Sequence, residues 1–186
     1  MTRTFNVFGE TSILEIRRSR EHKMHDSVRS ADYDEILEDD KDEYLDDLIA
    51  EYSFDLPELD FENQDGVKQT KRNREVLVVR IPFEGDEQQL RWNPSSSQVA
   101  YYDCYVEDGR LCFDIPRDTP NINDKIQDRI GAIQTNFRHL RNDMEKFNER
   151  FQNMDSLERA YDSRREEAEA HQGELDDLDF PIKDDE

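Results

Sequence analysis

The longest regular pattern of apolar positions in this chain runs from residue 119 to residue 171, and its centre is an unbroken heptad seam. Ile126, Ile130, Ile133, Phe137, Leu140, Met144, Phe147, Phe151 and Met154 follow one another at spacings of four and three, which keeps one stripe of a helix turned toward a mate. Thr119 stands where its hydroxyl can cap a first turn, and Pro120 occupies a first helical position where no N–H is needed. Neither Gly nor Pro occurs between Gly131 and Gly173. At 1.5 Å per residue, Pro120 to Met154 alone extends roughly 50 Å, longer than a small domain is wide. The seam therefore predicts burial against another helix, another copy of the chain or a protein partner, and its nine residues are the candidate partner-binding set. Beyond Met154, Leu157 and Tyr161 continue it for about one turn. Arg164, Arg165, Glu166 and Glu167 then leave no stripe, so the helix frays there or breaks near Asn153-Met154-Asp155 and folds back.

In the middle of the chain the period changes from helical to alternating. Glu75 to Phe83 puts Leu77, Val79, Ile81 and Phe83 on one face and Val76, Val78 and Arg80 on the other, with the first face the one to bury. Glu84-Gly85-Asp86 turns the chain, and Leu90 and Trp92 share the inward face of a second strand. After a loop at Asn93-Pro94-Ser95-Ser96-Ser97, Val99 to Val106 and Arg110 to Ile115 read as two strands joined through Asp108-Gly109, a hairpin signal. Leu111, Phe113 and Ile115 offer an apolar face that the long helix could cover.

Upstream the pattern weakens. Lys41 to Phe54 gathers Tyr44, Leu45, Leu48, Ile49 and Tyr52 on one helical face, a candidate mate for the seam. Phe5, Val7 and Phe8 suggest a short edge strand, and Ile13, Leu14 and Ile16 a turn of helix. Asp32, Asp34, Glu35, Glu38, Asp39 and Asp40 form a run of the kind that is solvated or disordered. Pro57 marks an extended connector, and residues 63–73, polar and containing Gly66, read as a mobile loop. The fold expected is α+β: a small antiparallel sheet of about four strands followed by a long heptad-patterned helix or helical hairpin. Its segments are an acidic, partly disordered stretch at 1–73 with a helix near 41–54, a β region at 74–118, a helical arm at 119–171 and an acidic tail at 172–186.

Composition narrows the role. Of the 186 residues 34% are hydrophobic and 39% charged, so only part of the chain can build a core. The formal charge of −22 argues against general binding to nucleic acid, which needs a basic surface. Most of the excess lies at the two ends: residues 1–75 hold 11 basic and 21 acidic side chains, and 172–186 hold 1 and 7. The 18 Arg against 7 Lys resemble the surface of salt-adapted proteins, in which high salt screens the self-repulsion. Cys104 and Cys112 are too few for a disulfide framework and read as two half-buried thiols or one hairpin bridge. No apolar run reaches the length of a membrane span and no signal-peptide core follows Met1, so a cytoplasmic location is expected.

Candidate chemistry is sparse. His22 and His25 stand at i, i+3 beside Glu21 and Asp26, two ligands of a metal site that lacks a placed third. Glu21-His22-Lys23 and Asp39-Asp40-Lys41 match the acid-x-Lys half of a metal-dependent nuclease site, outside any strand pattern. Arg129, Arg138, Arg141, Arg150, Arg159, Arg164 and Arg165 could meet phosphate, although interleaved acids favour a solvated face with pairs such as Arg141 with Glu145. Phosphate loops and nucleophile elbows are missing, and no cofactor is expected.

Arg74-Glu-Val-Leu-Val-Val-Arg-Ile-Pro-Phe-Glu-Gly-Asp86, with Leu90, Pro94-Ser95, the heptad helix containing Asn148, Arg164-Arg165 and Phe180-Pro181-Ile182, resembles the N-terminal region of poorly characterised prokaryotic proteins. Those proteins continue into a C-terminal restriction-endonuclease-like domain of the PD-(D/E)XK type. The resemblance covers about residues 74–182, and Trp92 and the acidic ends depart from it. It implies the accessory half of a larger DNA-targeting defence protein, or a stand-alone relative of it, with a nuclease effector domain as partner and no nuclease residue to carry over to this chain. The function expected is a non-enzymatic interaction or oligomerisation module, with an acidic DNA-mimic inhibitor as the alternative and a metal-dependent hydrolase as a distant third.

Overall fold

The computed structural model describes residues 4–96 and 102–176. In chain order the elements are β1 (Phe5–Asn6), β2 (Thr11–Ser12), α1 (Ile13–Ser30), α2 (Tyr33–Glu38), α3 (Lys41–Tyr52), β3 (Glu58–Leu59), β4 (Asp65–Lys71) and β5 (Arg74–Glu84). A 3-10 turn at Glu87–Arg91 follows, then β6 (Trp92–Asn93), β7 (Asp103–Glu107), β8 (Arg110–Pro116), α4 (Ile122–Gln152) and α5 (Asp155–Asp176). The chain divides into two compact units: Met1–Arg17 with Phe54–Phe147, and Arg18–Ser53 with Asn148–Glu186. The α+β class holds, and the boundary between the units falls inside α1 and α4.

The first unit is built on a six-stranded sheet in the order β1-β7-β8-β5, with β3 and β4 both pairing with β5. Its pairings are antiparallel. Two of its turns need backbone that most residues avoid. Asp108 and Gly109 both take positive φ, 52° and 67°, in the β7–β8 hairpin that Asp-Gly predicted. Arg72 and Asn73 do the same, at 49° and 61°, to join β4 to β5. Residues 63–73 are therefore not a mobile loop. Seven of them form an edge strand, paired from Asp65 opposite Arg80 to Lys71 opposite Arg74. An edge strand draws its stability from the backbone ladder and tolerates polar side chains, which is why the pattern there is so weak.

The face of β5 and β8 that carries Val79, Ile81, Leu111, Phe113 and Ile115 is buried, but Leu77 and Phe83 on it are only half-buried. Val76 and Val78 on the other face are buried too, so β5 is covered on both sides and its alternation marks no single inner face. Helix α4 meets it where Arg129 lies over the Phe113 ring, 5.7 Å from its centroid, and donates to the Asp114 carbonyl at 3.3 Å. Farther along α4, Phe137 packs on Phe8 and Phe61, and Phe147 on Phe54. Leu90 and Trp92 do not share a strand. Asp86 caps a 3-10 turn by accepting the Gln88 N–H at 2.9 Å, which buries Leu90, and Trp92 opens a two-residue strand parallel to β2. The expected strand at 99–106 is described from Asp103 onward, and residues 99–101 lie outside the described residues.

The second unit is helical. The N-terminal stretch expected to be partly disordered holds α1, α2 and α3, and two members of the acidic run start helices. The Asp32 side chain accepts the Asp34 N–H at 3.1 Å to start α2. That of Asp40 accepts the N–H groups of Asp42 and Glu43, at 3.0 and 3.2 Å, to start α3. Such caps are each worth about 1 kcal/mol. Arginines do the converse job at C-terminal ends. Arg20 donates to the carbonyls of Tyr52 and Ser53 at 2.7 and 2.6 Å, and Arg164 donates twice to Ala31, just past α1, at 3.1 and 2.7 Å. Tyr161 is fully buried, its hydroxyl donating to the Ile36 carbonyl at 3.1 Å and its ring tilted at 51° against that of Tyr44. The apolar face of α3 meets α5 through Tyr44 and Tyr161.

Two boundaries of the helical arm shift. Helix α4 starts at Ile122 and not at Pro120, because Thr119 donates its N–H back to Pro116 at 3.1 Å while Asn121, at φ 51°, breaks the path into the first turn. The break between α4 and α5 falls at Asn153-Met154, where it was expected. Helix α5 then runs past residue 171 to Asp176, into the expected acidic tail. Phe180-Pro181-Ile182 lie outside the described residues.

Candidate functional site

The heptad seam is the first candidate, and its mate is the chain itself. Ile133 is 1% exposed, and Leu140, Met144 and Phe151 are fully buried with a single chain present. Ile130, Phe137 and Phe147 are buried as well, and Ile126 and Met154, at the two ends, are half-buried. A stripe already removed from water has no apolar area left to gain on meeting a partner. Seven of these nine residues are interior positions and only Ile126 and Met154, at the ends, keep part of their surface exposed, so the stripe offers little apolar area to a partner.

What the fold exposes instead is charge, and it divides along the boundary between the units. Arg18–Ser53 with Asn148–Glu186 holds 10 basic and 27 acidic side chains, a net of −17. Met1–Arg17 with Phe54–Phe147 holds 15 and 20, a net of −5.

Within the acidic unit the end of α1, α2 and α3 enclose an open cleft of about 650 Å³. Asp32, Glu35, Asp39, Asp40, Glu43, Asp47 and Glu51 line it, around a floor that includes Ala31, Tyr44 and Leu48, and no Lys or Arg lines it. Asp32 and Asp40 are committed to their caps. Among the described residues no basic side chain pairs with Glu35, Asp39, Glu43, Asp47 or Glu51. The Tyr44 hydroxyl registers the field. Burial raises its pKa first, and neighbours that include Glu35 and Asp39 raise it further. The cleft can take a cationic group along its rim and the apolar stem of a long basic side chain on its floor.

The expected metal ligands do not converge. His22 turns to Asp26, 3.2 Å away along the same helix, and His25 turns to the Ser156 hydroxyl at 3.2 Å. Among the described residues no group of three His, Cys, Asp or Glu side chains could hold an ion. Of the two acid-x-Lys triplets, one lies on α1, and in the other Asp40 caps α3 while Lys41 pairs with Asp162 at 2.6 Å. Neither sits on a strand. Arg141 lies 3.8 Å from Glu145, the pairing its spacing implied.

The two cysteines are free and buried. Cys112 stands opposite Tyr105 in the β7–β8 register, so Cys104, one residue earlier, points to the other face and the two cannot bridge. Burial pushes their thiols up to about 12 for Cys104 and about 11 for Cys112, which leaves both inert at neutral pH.

One polar network was not legible in the sequence. On the opposite sheet face Lys71 donates to the Tyr105 hydroxyl at 2.7 Å and to both Asp114 oxygens at 2.9 Å, and Tyr105 donates to Asp114 at 2.9 Å. Burial pushes the Tyr105 phenol up to about 12. The three groups satisfy one another and cover Val76, Val78 and Cys112 beneath them. Their signal was only the shared parity of Lys71, Tyr105 and Asp114 on one pleated face.

No helix among the described residues is long and apolar enough to cross a membrane. Comparison with family models, with curated proteins and with solved structures finds no match to this chain.

Proposed function

We propose that this protein is a non-enzymatic binding module whose helical, acidic unit receives a basic protein surface. The observation that carries the reading is the cleft bounded by α2 and α3: seven carboxylates on these helices and at their ends, with no cation among the residues that line it. Like charges held this close repel one another, and a cationic partner relieves the repulsion as it binds. The sheet unit acts as a scaffold. A DNA-binding effector, such as the nuclease domain implied by the resemblance, presents a basic surface of the kind required.

The test is fluorescence anisotropy with a labelled eight-residue oligo-arginine peptide at low ionic strength. Saturable binding that weakens with added salt is expected, and the triple substitution Asp39→Asn, Asp47→Asn, Glu51→Gln abolishes it. A control triple in the sheet unit, Glu62→Gln, Glu84→Gln, Glu87→Gln, removes the same charge. Equal weakening by both triples would show attraction by net charge alone and sink the cleft reading.

A second reading, an acidic mimic of DNA, gains support because the acids lie on α2 and α3 instead of in disordered chain, so their spacing is fixed. It requires the protein to displace a DNA duplex from a basic DNA-binding domain. Binding of oligo-arginine without any such displacement favours the first reading.

A further inference from the structure

We infer that a pocket between α1 and α5 binds a phosphate group, the opposite charge from the ligand of the acidic cleft in the same unit. The pocket measures about 580 Å³ and is lined by His25, Arg29, Ser156, Arg159, Ser163 and Arg164, with Glu167 its one carboxylate. In a unit of net charge −17, three arginines and a histidine around one cavity need an explanation. Ion pairing does not supply it for two of them. Arg164 is committed, its guanidinium bound to the Ala31 carbonyl and to Glu167 at 3.2 Å and laid over the Tyr33 ring at 4.1 Å. Arg159 gives only its Nε to the Asp155 carbonyl, at 3.2 Å. Among the described residues neither Arg29 nor Arg159 is paired with a carboxylate.

The remaining groups suit an oxyanion. Ser156 lies in the first turn of α5, a 22-residue helix, and its hydroxyl is already oriented by His25 Nε2 at 3.2 Å. His25 Nδ1 is buried without a hydrogen-bond partner. An anion drawn to Arg29 and Arg159 would offset the cost of charging that imidazole. Two guanidinium groups and two hydroxyls supply donors for the oxygens of a phosphate dianion, with the His25 imidazole behind Ser156 to orient its hydroxyl. The volume exceeds a bare phosphate and leaves room for a small organic group, so a phosphomonoester fits the space best.

The experiment titrates the full chain, at low ionic strength, with inorganic phosphate, O-phosphoserine and sulfate, while following the His25 imidazole and the Ser156 amide by ¹⁵N NMR. Saturable shifts at both groups are expected, with tighter binding of O-phosphoserine than of phosphate. Arg29→Gln and Arg159→Gln should each weaken binding by about tenfold, the size of one charge-assisted hydrogen bond. Arg165→Gln, on the same helix but paired with Glu169 and outside the pocket, should leave it unchanged. Melting curves of the variants, both at exposed positions, establish that they fold. Equal binding of phosphate and O-phosphoserine would keep the anion site and discard the organic subsite. Absence of saturable shifts, or a loss with Arg165→Gln as large as with Arg29→Gln, would overturn the proposal. It would leave the acidic cleft untouched, because oligo-arginine binding there does not involve these residues.

Discussion

The Asp143 carboxylate takes two hydrogen bonds from Ser95, one from the backbone N–H at 2.7 Å and one from the hydroxyl at 2.8 Å. Asp143 is 8% exposed and stands on α4 beside Met144 of the seam, so a carboxylate at the edge of the apolar stripe fixes Ser95, two residues past β6.

Replacing Asp143 by Ala leaves the Ser95 N–H without its acceptor, and a hydrogen bond to a charged group contributes roughly 1.5–3 kcal/mol. Asp143→Ala should therefore cost about 3 kcal/mol, while Ser95→Ala, which removes only the hydroxyl donor, should cost about half as much. Urea unfolding checks this through the midpoint at constant slope. Equal losses in the two variants would show that the backbone bond contributes nothing.

Two glycines should respond in opposite directions to the same substitution. Gly131 is exposed within α4, and a Cβ there would meet nothing within 4 Å, so Gly131→Ala should stabilise by about 1 kcal/mol through helix propensity alone. Gly85 has φ +128° and a Cβ would lie 3.1 Å from two Pro57 atoms, so Gly85→Ala meets backbone strain together with a tight contact. It should lower the melting temperature by several degrees, where Gly131→Ala raises it.

How much of this was readable depended on what buries each element. The seam, the β5 and β8 strands and the Asp108-Gly109 turn were legible because apolar periodicity or turn chemistry repeats over many residues. Helix α1 was not. Its buried residues Ile13, Met24 and Val28 are separated by positions that Arg17, Arg20 and Glu21 fill as half-buried charged side chains, so the apolar stripe has gaps. The acidic run misled for a related reason, since Asp32 and Asp40 act through hydrogen bonds to backbone N–H groups, which hydropathy does not register. The seam's mate was beyond reach as well: the burial of Phe137 against Phe8 and Phe61 joins residues more than seventy positions apart. The phosphate pocket depends on His25 meeting Ser156, 131 positions away, and no local spacing encodes that.

The pH response of the helical unit should follow His25. Burial lowers its pKa first and the Arg29 charge lowers it further, against the opposing pull of Glu21 and Asp26, with His22 also on α1 and Arg159, Arg164 and Glu167 facing it from α5. The unfolded chain therefore binds a proton at higher pH than the folded one does. Stability should fall as pH drops from the ordinary histidine value of 6.5 toward the lower folded value, and be fully present above it. The observable is the difference between the parent protein and His25→Gln, in which contributions common to both cancel. That difference should shrink as pH falls from neutral to about 5.5, and a difference independent of pH would show that His25 titrates alike in both states.

The cleft carboxylates should cost the fold stability. Glu35, Asp39, Glu43, Asp47 and Glu51 share one cavity wall without basic partners, and each pair of like charges at such range is unfavourable by an amount that salt screens. Asp39→Asn, Asp47→Asn and Glu51→Gln together should therefore raise the melting temperature at low salt, and the gain should shrink as salt is added. Hydrogen exchange places the effect: amides of α2, α3 and α5 should gain protection with salt or with the substitutions, while those of β5 and β8 should not. Set beside the peptide titration, the same three substitutions should stabilise the protein and weaken its binding of oligo-arginine. That opposition is expected of residues kept for a ligand at the expense of the fold. Stabilisation with binding intact would instead assign these acids to surface charge alone.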